Sequence, residues 1–133
     1  MGDKVLGYPI RDPYPTELRY FESNPNVAGM AASDGQVTLN PFSNLSDEQR
    51  AAVAKNEAIR LWLRDNNVDP DFEVTPQQLK SFADSEYGKP EYRIDLKHTL
   101  ISRYLTGDSS AGDFTEDQIK WADYISKKLP KDK

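Results

Sequence analysis

Four stretches of the chain repeat apolar residues at helical spacing, and each opens on helix-start chemistry. Ser46 with Gln49, Thr75 with Gln78 and Thr115 with Gln118 are capping boxes. In each, the hydroxyl accepts from a free N–H of the first turn while the amide reaches back to the cap N–H. Pro76 takes the favoured first helical position, and Pro90 marks the fourth start. The pattern predicts helices over 46–66, 76–87, 90–106 and 115–129, with Gly88, Gly107 and Pro130 just past three of the ends. Three wide apolar arcs are read as core faces. They are Ala51, Ala52, Ala58, Ile59, Trp62 and Leu63; then Ile94, Leu96, Leu100, Ile101, Tyr104 and Leu105; then Phe114, Trp121, Ala122, Ile125 and Leu129.

The first forty residues follow a different pattern. Pro9, Pro13 and Pro15 fix φ and remove donors, so residues 1–15 read as an extended arm punctuated by Tyr8, Ile10 and Tyr14, neither helix nor central strand. Thr16–Glu22 is a short helix candidate ended by Asn24-Pro25-Asn26. Residues 27–40 read as a β-hairpin turning at Ser33-Asp34-Gly35. Its second strand alternates Val37 and Leu39 with Thr38 and Asn40, which predicts one buried face. Its first strand is built of small residues that let another element approach the backbone. The expected fold is mainly α within an α+β class: a small N-terminal β-hairpin followed by a bundle of about four helices. The expected organisation is an arm over 1–15, one globular helical domain over 16–130, and a basic tail over 131–133.

Composition narrows the chemistry. Fourteen aromatic residues in 133 supply enough apolar bulk for a packed core, so disorder is not expected. The net charge is −5, and the one basic cluster, Lys127, Lys128, Lys131 and Lys133, reads as a solvated helix end favoured by the helix dipole. No nucleic acid is expected as a partner. The absence of cysteine excludes disulfides, thiolate metal sites and a cysteine nucleophile, and a single histidine, His98, excludes a multi-histidine metal site. No run reaches the length of a membrane span and no signal peptide opens the chain, so a virion or host-cytoplasm setting is expected.

Four constellations bear on catalysis. Asn56-Glu57-Ala58-Ile59-Arg60 has the layout of a zincin H-E-x-x-H helix, but Asn56 and Arg60 stand where two histidines must converge on zinc. It fits a degenerate metallopeptidase-derived scaffold without metal, or, more simply, one polar arc of an amphipathic helix. That arc gathers Gln49, Arg50, Asn56, Glu57, Arg60 and Arg64, with Glu57 paired to Arg60 and the face turned to solvent or to a subunit. Asp65 to Glu73 alternates oxygen ligands as a calcium loop does, but Pro70 and Pro76 occupy the positions that need glycine and a bidentate glutamate. His98 reads as a boundary or surface residue, with Asp95 and Ser102 in reach along the helix but no exposed nucleophile elbow. No two of the 22 acids are singled out as a glycosidase pair. No catalytic set, metal site or cofactor is expected.

Tyr20-Phe21, Asn24-Pro25, Val27-Ala-Gly-Met-Ala31, Asp34-Gly35, Val37-Thr-Leu-Asn-Pro41, Ser43, Leu45, Asn56-Glu57 and Arg60 resemble small uncharacterised proteins of tailed bacteriophages of the marine podovirus type. The resemblance spans residues 20–64 and implies a phage source and a place in the particle. It carries no functional residue across. The expected function is a non-catalytic, virion-associated structural or protein–protein interaction component, with a phage structural protein or a second copy of the chain as partner. The contact residues expected are Tyr8, Ile10, Tyr14, Asn56, Glu57 and Arg60. The alternative is an accessory protein that binds and inhibits a host factor.

Overall fold

In the computed structural model, which describes residues 4–32, 34–108 and 113–130, the N-terminal segment is part of a sheet. Strand β1 (Lys4–Val5) turns directly into β2 (Tyr8–Arg11). The turn is Leu6-Gly7, and both residues have positive φ, 51° and 83°. Such a two-residue turn matches the twist of an antiparallel pair. Leu6 lacks the freedom of glycine in that region, but it is buried, and its burial offsets the strain. β2 then pairs in parallel with β4 through Ile10↔Val37 and Arg11↔Thr38. The extended arm expected over 1–15 is therefore corrected: its described part supplies two strands, one of them interior. Pro9 is tolerated because it lies opposite Lys4 of β1 and outside the ladder with β4.

Helix α1 (Pro15–Ser23) follows, one residue longer at each end than expected. The Glu17 carboxylate accepts from the Tyr14 N–H at 2.8 Å, taking a donor the helix start leaves free. The hairpin over 27–40 is present: β3 (Gly29–Ala31) pairs antiparallel with β4 (Val37–Leu39). At its turn Gly35 has φ 80° and the Asp34 carboxylate accepts from the Gln36 N–H; Ser33 lies outside the described residues. The sheet order is β1-β2-β4-β3, which puts β4 between two strands. Val37, Thr38, Leu39 and Asn40 are consequently all buried, and the single buried face expected from their alternation is corrected. The close approach expected at the small-residue strand is found at Gly29. A Cβ there would lie 3.0 Å from Leu39, from the Thr38 carbonyl and from Val53.

Helix α2 (Asp47–Asp65) opens on the expected Ser46/Gln49 box, with reciprocal bonds of 2.8 and 3.1 Å. Its buried residues are Ala54, Glu57, Ala58, Ile59, Leu61 and Leu63. Ala51 and Ala52, expected in the core, are exposed, and Trp62 is half-buried. Alanine carries too little apolar surface to set the phase of the buried stripe. Leu61 and the fully buried Ile59 set it instead.

The chain divides into two compact units, residues up to Leu61 with Pro130, and Trp62–Leu129; the boundary falls within α2. In the second unit, α3 (Pro76–Ser81) ends after six residues, well short of 87. The reason is at Gly88, where a Cβ would stand 2.4 Å from the Phe82 carbonyl, so the chain folds back on the helix end. Two 3-10 turns, Glu86–Gly88 and Pro90–Tyr92, lead into α4 (Arg93–Leu105). Gly107, with φ 79°, closes α4, and the Asp108 N–H reaches the Arg103 carbonyl. α4 buries Leu96, Leu100 and Ile101 as expected, whereas Ile94 is exposed. Helix α5 (Glu116–Lys128) packs on α4. The basic tail 131–133 lies outside the described residues.

The caps of α3 and α5 meet. Gln78 and Gln118, 0% and 3% exposed, exchange two bonds of 2.8 Å between their side-chain amides. Each amide oxygen also accepts from its own cap N–H, at Thr75 and Thr115. Each amide nitrogen also donates to a backbone carbonyl, Gln78 to Asp113 and Gln118 to Glu73. Both lone pairs and both N–H bonds of each amide are thereby used, so the pair is buried without an unsatisfied atom. Replacing either one alone, Gln78→Leu or Gln118→Leu, is expected to cost about 3 kcal/mol by orphaning the other's amide. The double variant is expected to cost about 1 to 3 kcal/mol less than the sum. Urea unfolding of the four proteins measures this, and strict additivity would contradict it.

Candidate functional site: an aromatic groove

The residues expected at a contact surface fall into two groups within the first unit. Tyr8 and Ile10 are half-buried in β2. Tyr14 is 52% exposed at the start of α1. Asn56, Glu57 and Arg60 lie on α2. Glu57 is 6% exposed, which corrects its expected place on a solvated face. Both of its carboxylate oxygens accept from Arg60 Nη1, at 3.1 and 3.0 Å, as the three-residue spacing implied. The carboxylate that a zincin would use as base is thus held by a guanidinium.

Arg11 organises the other group. It grips Glu17 through two bonds of 2.6 and 2.9 Å and reaches Asp34 at 3.1 Å, and its guanidinium lies 3.8 Å from the centre of the Tyr14 ring. These contacts join β2, the start of α1 and the hairpin turn. The hydrogen bonds from Arg11 hold the Glu17 carboxyl below the usual carboxylate range, and Glu17 in turn raises the Arg11 pKa. A carboxylate in that state has no proton to give at neutral pH, so the cluster is a clamp.

His98 is 5% exposed, not a surface residue, and its Nε2 lies 2.6 Å from the Val68 carbonyl. Lys97 Nζ donates to the Pro70 carbonyl at 2.8 Å. Together they hold the linker that reads as a calcium loop, whose Asp71 accepts from Trp121 Nε1 at 2.7 Å. Ser102 is fully buried and donates to the Thr99 carbonyl, which leaves no nucleophile facing solvent there. Among the described residues no three acidic or histidine side chains are placed to hold a metal ion.

What the structure brings together, and the sequence did not, is a groove of about 570 Å³ in the second unit. Trp62, Trp121 and Tyr124 supply its aromatic walls, over Val68 and Ile125. Asn66, Asp69 and Lys128 supply its polar rim. Both tryptophans of the chain are therefore in one site. The Trp121 indole is pinned by Asp71 and meets Tyr124 edge-on, with centroids 5.7 Å apart and planes at 86°. Lys128 Nζ stands 5.0 Å from the Tyr124 ring centre. In sequence, Trp62 and Trp121 read as core because each falls on an apolar arc. A half-exposed tryptophan has the same spacing as a buried one.

The Arg11–Glu17 pair has a pH signature. Because the folded-state pKa of Glu17 is depressed, the pair's contribution is present above the ordinary glutamate range and is lost as pH falls through the folded value. Acid unfolding of Glu17→Gln is expected to show a shallower loss of stability than wild type below about pH 4.5. Equal slopes in the two proteins would contradict the clamp.

No protein-family model, no curated protein and no solved structure matches the chain.

Proposed function

We propose that the protein is a non-catalytic, virion-associated structural or protein–protein interaction component of a tailed bacteriophage. The observation that carries this reading is the exposure of large aromatic side chains in the first unit. Tyr14, Tyr20 and Phe42 are 52%, 47% and 47% exposed, although each offers apolar surface that a monomer gains by burying. Aromatic residues of this kind are enriched where partners dock. The resemblance of residues 20–64 to tailed-phage proteins supports the source and the setting. Two segments within residues 1–15 are strands of the sheet. Deleting residues 1–15 would remove those strands, so point substitutions are the appropriate probe.

Mass spectrometry of purified particles tests the proposal. The protein is expected at a fixed copy number per particle, and Tyr20→Ser with Phe42→Ser is expected to lower that number at least about tenfold, a loss of roughly 1.4 kcal/mol of docking energy. Circular dichroism of the double variant should match wild type. Absence of the wild-type protein from purified particles contradicts the proposal.

A further inference from the structure

The groove of the second unit has chemistry that the exposed aromatic residues of the first unit do not share. Apart from Lys128, whose ammonium stands over the Tyr124 ring, its polar groups are largely uncommitted. Within the described residues the Trp62 indole N–H, the Asp69 carboxylate and the Tyr124 hydroxyl have no hydrogen-bond partner, and Asn66 uses only its Nδ2, which donates to the Trp62 carbonyl. The groove thus offers both donors and acceptors beside its aromatic side chains. The two charges in the lining, Asp69 and Lys128, are opposite and cancel, so the groove has no net charge that would draw an anion or a cation in preference to a neutral ligand. The groove, about 570 Å³ and largely open to solvent, is wide enough for a small ligand lying across it, and its walls are helix side chains and one loop. No strand edge lies in this unit among the described residues, so an extended peptide cannot add to a sheet there. The perpendicular Trp121 and Tyr124 rings do not form the parallel ridges that a polyproline helix packs between.

From this we infer that the groove is a binding site for a neutral saccharide. A pyranose ring presents an apolar C–H face that stacks on an indole, while its hydroxyls both donate and accept around the edge. Asp69 accepts from vicinal hydroxyls, and the Trp62 N–H and Lys128 donate to sugar oxygens. Asp71 fixes the Trp121 indole, so one wall is ordered before the ligand arrives.

Because both tryptophans line the groove, their emission reports occupancy directly. The full chain is titrated with the methyl glycosides of glucose, galactose, mannose and N-acetylglucosamine, and in parallel with decaproline. At least one glycoside is expected to change the emission saturably, with Kd on the order of 1 mM. Asp69→Ala and Lys128→Ala, both at exposed positions that keep the two tryptophans, are each expected to weaken that binding about tenfold. The inference is overturned if no glycoside gives a saturable change, if decaproline saturates the signal in their place, or if both variants bind the glycoside as wild type does.

Discussion

The mutual amide pair of Gln78 and Gln118 is the interaction on which the second unit depends. α3 has only six residues, too few to persist on local hydrogen bonds. It is held because its cap is completed from outside, by the amide that completes the cap of α5. A buried glutamine is costly unless every polar atom has a partner, and here every one does. The geometry admits little latitude, since moving either helix start breaks bonds at both. α5 is thereby fixed at its first turn, and α5 carries Trp121 and Tyr124 to the groove.

The first unit meets a similar demand with charge. Arg11 projects from an interior strand and gathers Glu17 and Asp34, which belong to a helix start and to a hairpin turn. An arginine suits this place because its planar fork serves two carboxylates and still stacks on Tyr14. The arrangement is partly solvated, so it responds to pH, whereas the paired amides do not titrate. Thr38 shows what is left when such matching fails, for its Oγ1 is buried in β4 with no hydrogen-bond partner among the described residues.

Local chemistry was legible in the sequence, and non-local pairing was not. The three capping boxes, the Asp34-Gly35 turn and the Gly107 helix end stand where side-chain type dictated, because each is decided within a few residues. That two of the boxes would grip each other across 40 residues is not visible in either one. The Leu6-Gly7 turn carries no sequence signal because leucine is a rare choice for positive φ, and its burial, not its propensity, makes it tolerable. The parallel pairing of β2 with β4 joins segments far apart in the chain, and three prolines disguised the first of them. Glu57 and His98 read as surface residues from their polarity, and both are buried with a partner, Arg60 for one and the Val68 carbonyl for the other. The groove was hidden for the converse reason, that its tryptophans share apolar arcs with core residues.

The saccharide site inferred for the second unit therefore rests on a wall that the paired amides hold in place. Proton exchange of the side-chain amides, followed by nuclear magnetic resonance, tests that most directly. The carboxamide protons of Gln78 and Gln118 are expected to exchange at least about a hundredfold more slowly than those of Gln77, which is exposed on the same helix. Exchange as fast as that of Gln77 would mean that the pair is open in solution, and the account of the second unit would fail.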